Sequence, residues 1–81
     1  MDDLEAKLDR FENGHMGQLE ELAFFQELVD SGHAWTLQGL YSHTAETYLA
    51  QGKIEARNEK AQRMKEHGIR LTAAIISAFN N

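Results

Sequence analysis

Cysteine and proline are both absent from the 81-residue chain. Without cysteine the chain forms no disulfide, and a structural zinc site is not expected because such sites usually use thiolate ligands. The lack of cysteine also fits a reducing compartment. Proline is the strongest helix breaker, so its absence permits long helices throughout the chain.

Long apolar runs are absent as well. The longest, at residues 22–25 and 73–76, have four residues each, whereas a helix that spans a bilayer needs roughly 20. The N-terminus, MDDLEAKLDR, is acidic and lacks the basic start and apolar run of a signal peptide. We therefore expect a soluble, cytoplasmic protein that does not contact a membrane.

The length of the chain sets the number of domains. It suffices for one domain and is too short for two. The hydrophobic fraction is 42% and the charged fraction 26%, which is the balance of a globular protein rather than a disordered one. A domain this small buries only a modest core, so oligomerisation is the simplest remaining source of stability. We treat residues 1–81 as a single domain.

Glycines and apolar periodicity divide the first half into helices. In residues 2–12, Leu4, Leu8 and Phe11 form one helical stripe, and Asn13-Gly14 is a helix stop. Residues 18–31 form a second amphipathic helix that ends at Ser31-Gly32. In residues 34–51 we expect a short helix, a tight turn near Gly39 and then a helix to about Ala50. Ser42 and Thr44 are the candidate N-caps of that last helix.

The last segment, residues 53–79, has the pattern of one long helix. The heptad a and d positions hold mainly apolar side chains, namely Ile54, Ala61, Met64, Leu71, Ile75 and Ala78, with Arg57 and Gly68 at the other two. An unbroken helix of about 27 residues would span roughly 40 Å, whereas a compact domain of this size has a radius of gyration of about 12 Å. Such a helix needs a partner or a bend at Gly68. The expected fold is all-α, with three to four helices and a long C-terminal helix used for oligomerisation.

Charge is distributed unevenly along the chain. Residues 1–50 hold ten acidic and two basic side chains, whereas residues 51–81 hold three acidic and six basic ones. The first part, residues 1–52, is therefore an acidic helical part, and residues 53–81 are basic and then apolar. The asymmetry indicates either a charged partner or self-association, or two halves that face each other or stay solvated.

No motif for catalysis or metal binding is present. The histidines, His15, His33, His43 and His67, form neither HxxxH nor HExxH, and the serines lack a GxSxG elbow. His33 follows a predicted helix C-terminus, where a cation is favoured. There is no glycine-rich phosphate loop, and the adjacent Glu20 and Glu21 lie on a solvated helix face. We expect no enzymatic activity, no cofactor and no metal.

Two surfaces are predicted for protein binding. Phe24 and Phe25 are adjacent, so one helix cannot bury both against one flat face, and one of them is expected to meet a second chain. The candidate surface for a host protein combines acidic and aromatic residues, namely Glu20, Phe24, Glu27, Asp30, Trp35 and Tyr41. The candidate oligomer interface lies in the last helix, which is apolar nearly all round, at Met64, Ile69, Leu71, Ile75, Ile76 and Phe79.

Two alternatives use the basic residues of the last segment. Arg57, Lys60 and Arg63 are candidates for nucleic-acid binding, although interleaved glutamates and a net charge of −5 oppose contact with phosphate. The short helices around Gly39 also fit a helix-turn-helix. Alternatively, the bases hold a nucleotide between subunits while Trp35, Tyr41 or Tyr48 stacks on its base. In the simpler interpretation, these aromatic side chains are core.

The stretch ELAFFQELVDSGHAWTLQGLYSHTAETYLAQGKI, residues 21–54, resembles a family of small phage-encoded proteins with the motifs FQxLVDxG and WxLQGxYxRTAxxLIxxGxI. The matching residues are Phe25, Gln26, Leu28, Val29, Asp30, Gly32, Trp35, Leu37, Gln38, Gly39, Tyr41, Thr44, Ala45, Leu49, Gly52 and Ile54. His43 stands at the family's usual basic position, and Leu40 at its small or polar position before the tyrosine.

The resemblance implies an origin rather than a chemistry, because that family is functionally uncharacterised. It implies an accessory protein of a phage or prophage, located in the host cytoplasm. Such proteins commonly divert a host protein or blunt a defence such as CRISPR or cyclic-nucleotide signalling. The expected function is therefore inhibition of a host protein, with a nucleic-acid regulator or an oligomeric nucleotide sponge as alternatives. The segment after Ile54 looks like an extension beyond the shared motif.

Overall fold

The computed structural model describes residues 3–80, and within that range the chain is helical with no strand. Four α-helices follow one another: α1 (Asp3–Glu12), α2 (Gln18–Ser31), α3 (Gly39–Ala50) and α4 (Glu59–Asn80). A single 3₁₀ turn, His33–Trp35, lies between α2 and α3. The predicted all-α fold with a long C-terminal helix is confirmed. The expected start of the first helix, Asp2, lies outside the described residues.

The first two helices end where their glycines predict. Asn13 and Gly14 follow α1, and Gly14 takes a positive φ of 72°. Gly32, with φ 86°, caps α2 in the left-handed conformation and donates its N–H to the carbonyl of Val29 at 3.2 Å. A residue without Cβ adopts this conformation at little steric cost, so each glycine terminates its helix cleanly.

Both adjacent phenylalanines of α2 are buried in this one chain, so the prediction that one of them meets a second chain is wrong. Phe24 is 3% exposed and Phe25 is fully buried. The reason is that α2 is covered on two sides. The ring of Phe11 on α1 lies 6.1 Å from Phe24 and 5.3 Å from Phe25, and Tyr41 and Tyr48 on α3 lie 6.3 and 5.5 Å from Phe25.

The start of α3 differs from the predicted one. The helix begins at Gly39, so Ser42 and Thr44 lie inside it and neither is its N-cap. Ser42 Oγ donates to the carbonyl of Gly39 at 3.1 Å, which is a contact within the first helical turn. The short helix expected before Gly39 is only the 3₁₀ turn, whose Ala34 is fully buried in the core.

The last helix starts later than its heptad pattern predicts. Residues 53–58 are a loop, so Ile54 reaches the core from outside the helix, where it is 5% exposed. Asn58 begins the helix: its Oδ1 accepts the N–H of Ala61 at 2.9 Å, while its Nδ2 donates to the carbonyl of Val29 at 3.2 Å. The 22 residues of α4 span about 33 Å.

Gly68 brings α4 close to α3 without interrupting the helix. A Cβ at this position would lie 3.0 Å from Cγ and from the carbonyl oxygen of Glu46, and 3.1 Å from Cβ of Ala50. Beyond this contact α4 projects from the body, and the molecule measures 50 × 27 × 21 Å. The radius of gyration, 13.6 Å, exceeds the roughly 12 Å of a compact domain of this length. Within residues 3–80, no helix has the length and apolar character needed to cross a bilayer.

Candidate functional site

The distal part of α4 exposes a set of large apolar side chains. We call residues 69–79 the apolar arm, and every residue in it is exposed. Its large side chains retain about half or more of their accessible surface, at Ile69 (46%), Leu71 (48%), Ile75 (58%), Ile76 (53%) and Phe79 (86%). Of the six predicted interface residues, only Met64 lies elsewhere, half-buried against the core.

The apolar arm continues the stripe by which α4 packs on the body. Ala61, Met64 and Gly68 face the core and α3, and the next positions of the same heptad are Leu71 and Ile75. The stripe therefore extends beyond the neighbours that cover its first half. Within residues 69–79 the only charged side chain is Arg70. Contiguous exposed apolar patches are typical of interaction surfaces, which makes the apolar arm the candidate site.

A groove of about 470 Å³ lies between the apolar arm and α3. Its α3 wall includes His43, Glu46, Thr47 and Ala50, and its α4 wall includes Leu71, Thr72, Ile75 and Ile76. His67 on α4 contacts the carboxylate of Glu46 on α3 at one end of this groove. The groove is therefore a mainly apolar recess bordered by a few polar groups, and the apolar arm projects beside it.

The family model of a domain of unknown function, DUF7417, matches residues 1–74. The chain belongs to the DUF7417 family. No curated protein and no solved structure matches it. The match continues through most of α4, so the DUF7417 domain includes much of the segment after Ile54 that looks like an extension beyond the phage motif. The first half of the apolar arm is thus part of the family domain.

Two predicted acidic residues of this DUF7417 chain join α2 to α1. Glu27 accepts from Nζ of Lys7 at 2.6 Å, and both carboxylate oxygens of Glu20 lie 2.7 Å from Nη2 of Arg10. The hydrogen bond with Glu27 raises the pKa of Lys7, which keeps the ammonium charged. Because these pairs are exposed, each contributes little stability. They matter more for the surface charge of α1, because both basic side chains of that helix are paired with carboxylates of α2.

The third predicted acidic residue holds the loop before α4. Asp30 accepts from Nη1 of Arg57 at 3.2 Å, and Arg57 also donates from Nε to Glu55 at 2.9 Å. The hydrogen bond with Glu55, followed by the charge of Asp30, raises the pKa of Arg57. Lys60 and Arg63 are exposed on α4. The three bases proposed for anion binding therefore lie on two different elements, and one of them is already paired within the chain.

The aromatic candidates of the DUF7417 chain are core residues rather than a surface. Phe24 and Tyr41 are each 3% exposed, and Trp35 is half-buried with its Nε1 covered. Tyr41 donates its hydroxyl to Glu12 Oε1 at 2.7 Å, and burial together with this bond raises the pKa of Tyr41 to about 12. The structure therefore does not bring the six predicted host-binding residues together on one accessible face.

Tyr48 has the same arrangement on the other side of α2. Its hydroxyl donates to Glu21, and this bond together with burial raises the pKa of Tyr48 to about 12. Neither tyrosine ring is presented in the open position that stacking on a nucleotide base requires. Among residues 3–80, no three histidine or carboxylate side chains are grouped so as to hold a metal ion.

Three contacts that position the surface were not predicted. Gln26 forms two hydrogen bonds with the backbone of Glu55, at 2.9 and 2.7 Å, and so ties the loop to α2. Asn58 caps α4, and His67 pairs with Glu46. Only Asn58 has a local signal in the sequence. Asparagine is a preferred N-cap, and it is followed here by Glu59 in the first turn of the helix. The other two join elements that are distant in sequence.

Proposed function

We propose that this DUF7417 chain is a non-enzymatic binding protein of phage or prophage origin. It self-associates through the apolar arm and inhibits a host protein such as an antiviral defence component. The observation that carries the proposal is the apolar arm itself. Fully burying one Leu, Ile or Phe side chain is worth about 1.5–3 kcal/mol. Five such side chains, four of them about half exposed and Phe79 at 86%, therefore offer on the order of 5 kcal/mol to a partner.

The proposed host-binding surface consists of the acidic side chains of α1 that form no ion pair within residues 3–80. Lys7 and Arg10 are both turned to carboxylates of α2, so the outer side of α1 is acidic. Glu5 and Asp9 are exposed there, four residues apart, and Glu12 lies beside them with one carboxylate oxygen bonded to Tyr41. A single-signed surface steers a basic partner and fixes its orientation more than it adds affinity. We assign the host contact to this side of α1, away from the apolar arm.

The phage origin and the host target rest on the resemblance of residues 21–54 to small phage proteins. The matching positions include Gln26, which holds the loop before α4, and Ile54, which fills the core from that loop. Two of the matching residues therefore hold the loop that leads into α4.

A pull-down from bacterial lysate tests the proposal. The tagged wild-type chain is expected to retain one stoichiometric host protein, identified by mass spectrometry. A double variant, Glu5→Lys with Asp9→Lys, is expected to lose it. The matched control, Glu59→Lys with Glu66→Lys, makes the same charge change on exposed positions of α4 and is expected to keep it.

The alternatives give different results in the same experiment. Retention of nucleic acid or release of a nucleotide, without a host protein, would contradict the proposal and favour the basic residues of α4. An effect on phage growth provides the biological measurement. Expression of the chain is expected to raise the plating efficiency of a phage on a host with its defence intact, and not on a host that lacks that defence.

A further inference from the structure

We infer that two copies of this chain pair through antiparallel apolar arms, with Phe79 of each copy inserted in the groove between α3 and α4 of the other. The inference rests on the self-association proposed above and names its geometry. Phe79 is the most exposed large apolar side chain of the described residues, at 86%. Aromatic side chains that fill a pocket are the usual anchors of an interface.

The apolar arm carries both the inserted side chain and the site that receives it. Leu71, Thr72 and Ile75 line the groove, and Phe79 follows on the same side of the same helix. Phe79 does not line the groove of its own chain, and it lies about 10 Å along the helix axis from Thr72, so the part of the groove at Thr72 is open to another side chain. A surface that carries a projection and a matching recess is self-complementary, and a two-fold axis fills both recesses at once.

The direction of pairing follows from the position of Phe79. If two arms cross antiparallel near Ile75 and Ile76, Phe79 lies about 5 Å beyond the crossing. It then faces Leu71 and Thr72 of the second copy, which line the groove. Parallel arms would instead place Phe79 against Phe79 and leave both grooves unfilled.

Charge favours the same direction. Arg70 is the one charged side chain of the apolar arm. Parallel pairing places the two Arg70 side chains at the same height, where like charges repel. Antiparallel pairing about Ile75 and Ile76 separates them by roughly 16 Å along the axis, beyond the screening length of about 8 Å at physiological salt.

The area available is enough for a weak to moderate dimer. An exposed Phe offers about 150 Å² or more, and with four half-exposed aliphatic side chains each copy presents on the order of 500 Å² of apolar surface. Two copies with the groove walls added approach the roughly 1,200 Å² of the smaller specific interfaces. A second copy therefore covers the apolar arm without any further partner.

Alanine substitution tests the anchor. The wild-type chain is expected to be a dimer by sedimentation at micromolar concentration. Phe79→Ala is expected to raise the dimer dissociation constant about tenfold or more while leaving helicity unchanged, because Phe79 contributes nothing to the core. The control is Leu19→Ala, which removes an equally exposed side chain (83%) from α2 and is expected to have no effect.

Disulfide formation between introduced cysteines tests whether the arms pair antiparallel. The chain has no natural cysteine that would form other disulfides. Thr72→Cys and Ala78→Cys chains are mixed and oxidised. Antiparallel arms that cross at Ile75 and Ile76 place residue 72 of one copy within about 2 Å, along the axis, of residue 78 of the other, whereas parallel arms separate them by about 9 Å, so the mixed disulfide is expected to predominate. An Ala78→Cys homodimer indicates parallel arms and overturns the inference.

The remaining outcomes separate this inference from the proposed function. A dimer that Phe79→Ala leaves intact overturns the insertion alone. A monomeric wild-type chain, or one whose apolar arm is covered by a different protein, overturns both the pairing and the proposed self-association. Neither result bears on host binding by α1, which the charge-reversed pull-down variants measure separately.

Discussion

At the scale of single residues, Gly68 sets how closely α4 approaches α3. Its absent Cβ leaves room for the carbonyl of Glu46 and the methyl of Ala50, which a Cβ would meet at 3.0 and 3.1 Å. Gly68→Leu is therefore expected to lower the free energy of unfolding by about 2 kcal/mol, even though Leu is the better helix former. Urea unfolding measures the change.

The control for that change is Gly39→Leu at the start of α3. Nothing lies within 4 Å of the position where its Cβ would be, and its φ is not positive. The same substitution there is expected to be neutral or slightly stabilising. Equal losses at the two glycines would mean that the close approach of α3 and α4 is not what Gly68 provides.

The two tyrosines that donate to carboxylates are expected to make the free energy of unfolding fall at alkaline pH. The pKa values of Tyr41 and Tyr48 are both raised to about 12, whereas an unfolded tyrosine loses its proton near 10. The folded chain therefore binds more protons between these values, so its stability is full below pH 10 and falls as the pH rises towards 12. The ultraviolet absorbance of tyrosinate is expected to appear near pH 12 or together with unfolding.

Phenylalanine substitution shows whether these hydroxyls cause the loss. The double variant Tyr41→Phe with Tyr48→Phe keeps both rings in the core and removes both phenolic protons. Its stability is expected to fall less between pH 10 and 12 than that of the wild-type chain. Titration of the wild-type tyrosines near pH 10 with the fold intact would contradict the expectation.

At the scale of elements, Asn58 decides where α4 begins and what it is joined to. Its side chain accepts the N–H of Ala61 and donates to the carbonyl of Val29. Asn58→Ala removes both bonds and is expected to cost about 1–2 kcal/mol. Asn58→Asp keeps the cap but places a carboxylate beside that carbonyl, so its loss is expected to lie between wild type and Ala. Thermal unfolding orders the three chains, and an Ala variant as stable as wild type would contradict the role.

The sequence predicts elements well where their signals are local. The bounds of α2 agree with the prediction at both ends, because Gly17 and Gly32 flank an unbroken apolar stripe. The start of α4 was misplaced because Ile54 keeps heptad spacing with Ala61 whether it lies in a helix or in a loop that folds back. The bonds that decide between these, from Gln26 and Asn58, join residues 29 positions apart.

The same limit applies to the candidate surfaces. Periodicity shows which residues share a helical face, but not how many neighbours cover the helix. Phe24 and Phe25 were expected to divide between core and surface, yet α1 and α3 cover two sides of α2. For the apolar arm, residues 69–79 are apolar nearly all round and the body leaves them exposed, while their burial by a second copy stays a prediction.

At the scale of the whole molecule, the chain consists of a body that holds the core and an arm that contributes no side chain to that core. The core is built from side chains up to Ala61, with Met64 packed against it, while every residue of 69–79 is exposed. Removing residues 72–81 is therefore expected to leave a folded chain, because the contact of Gly68 with α3 remains. Circular dichroism is expected to show the helicity of the remaining residues unchanged.

Removal of the arm is also expected to change how stability depends on concentration. A dimer that dissociates on unfolding has a melting temperature that rises with protein concentration, whereas a monomer does not. The full chain is expected to show this rise, and the chain without residues 72–81 is expected to melt at one temperature at every concentration. If the full chain also melts independently of concentration, the arm is not covered by a second copy. If the shortened chain fails to fold, the arm belongs to the body after all.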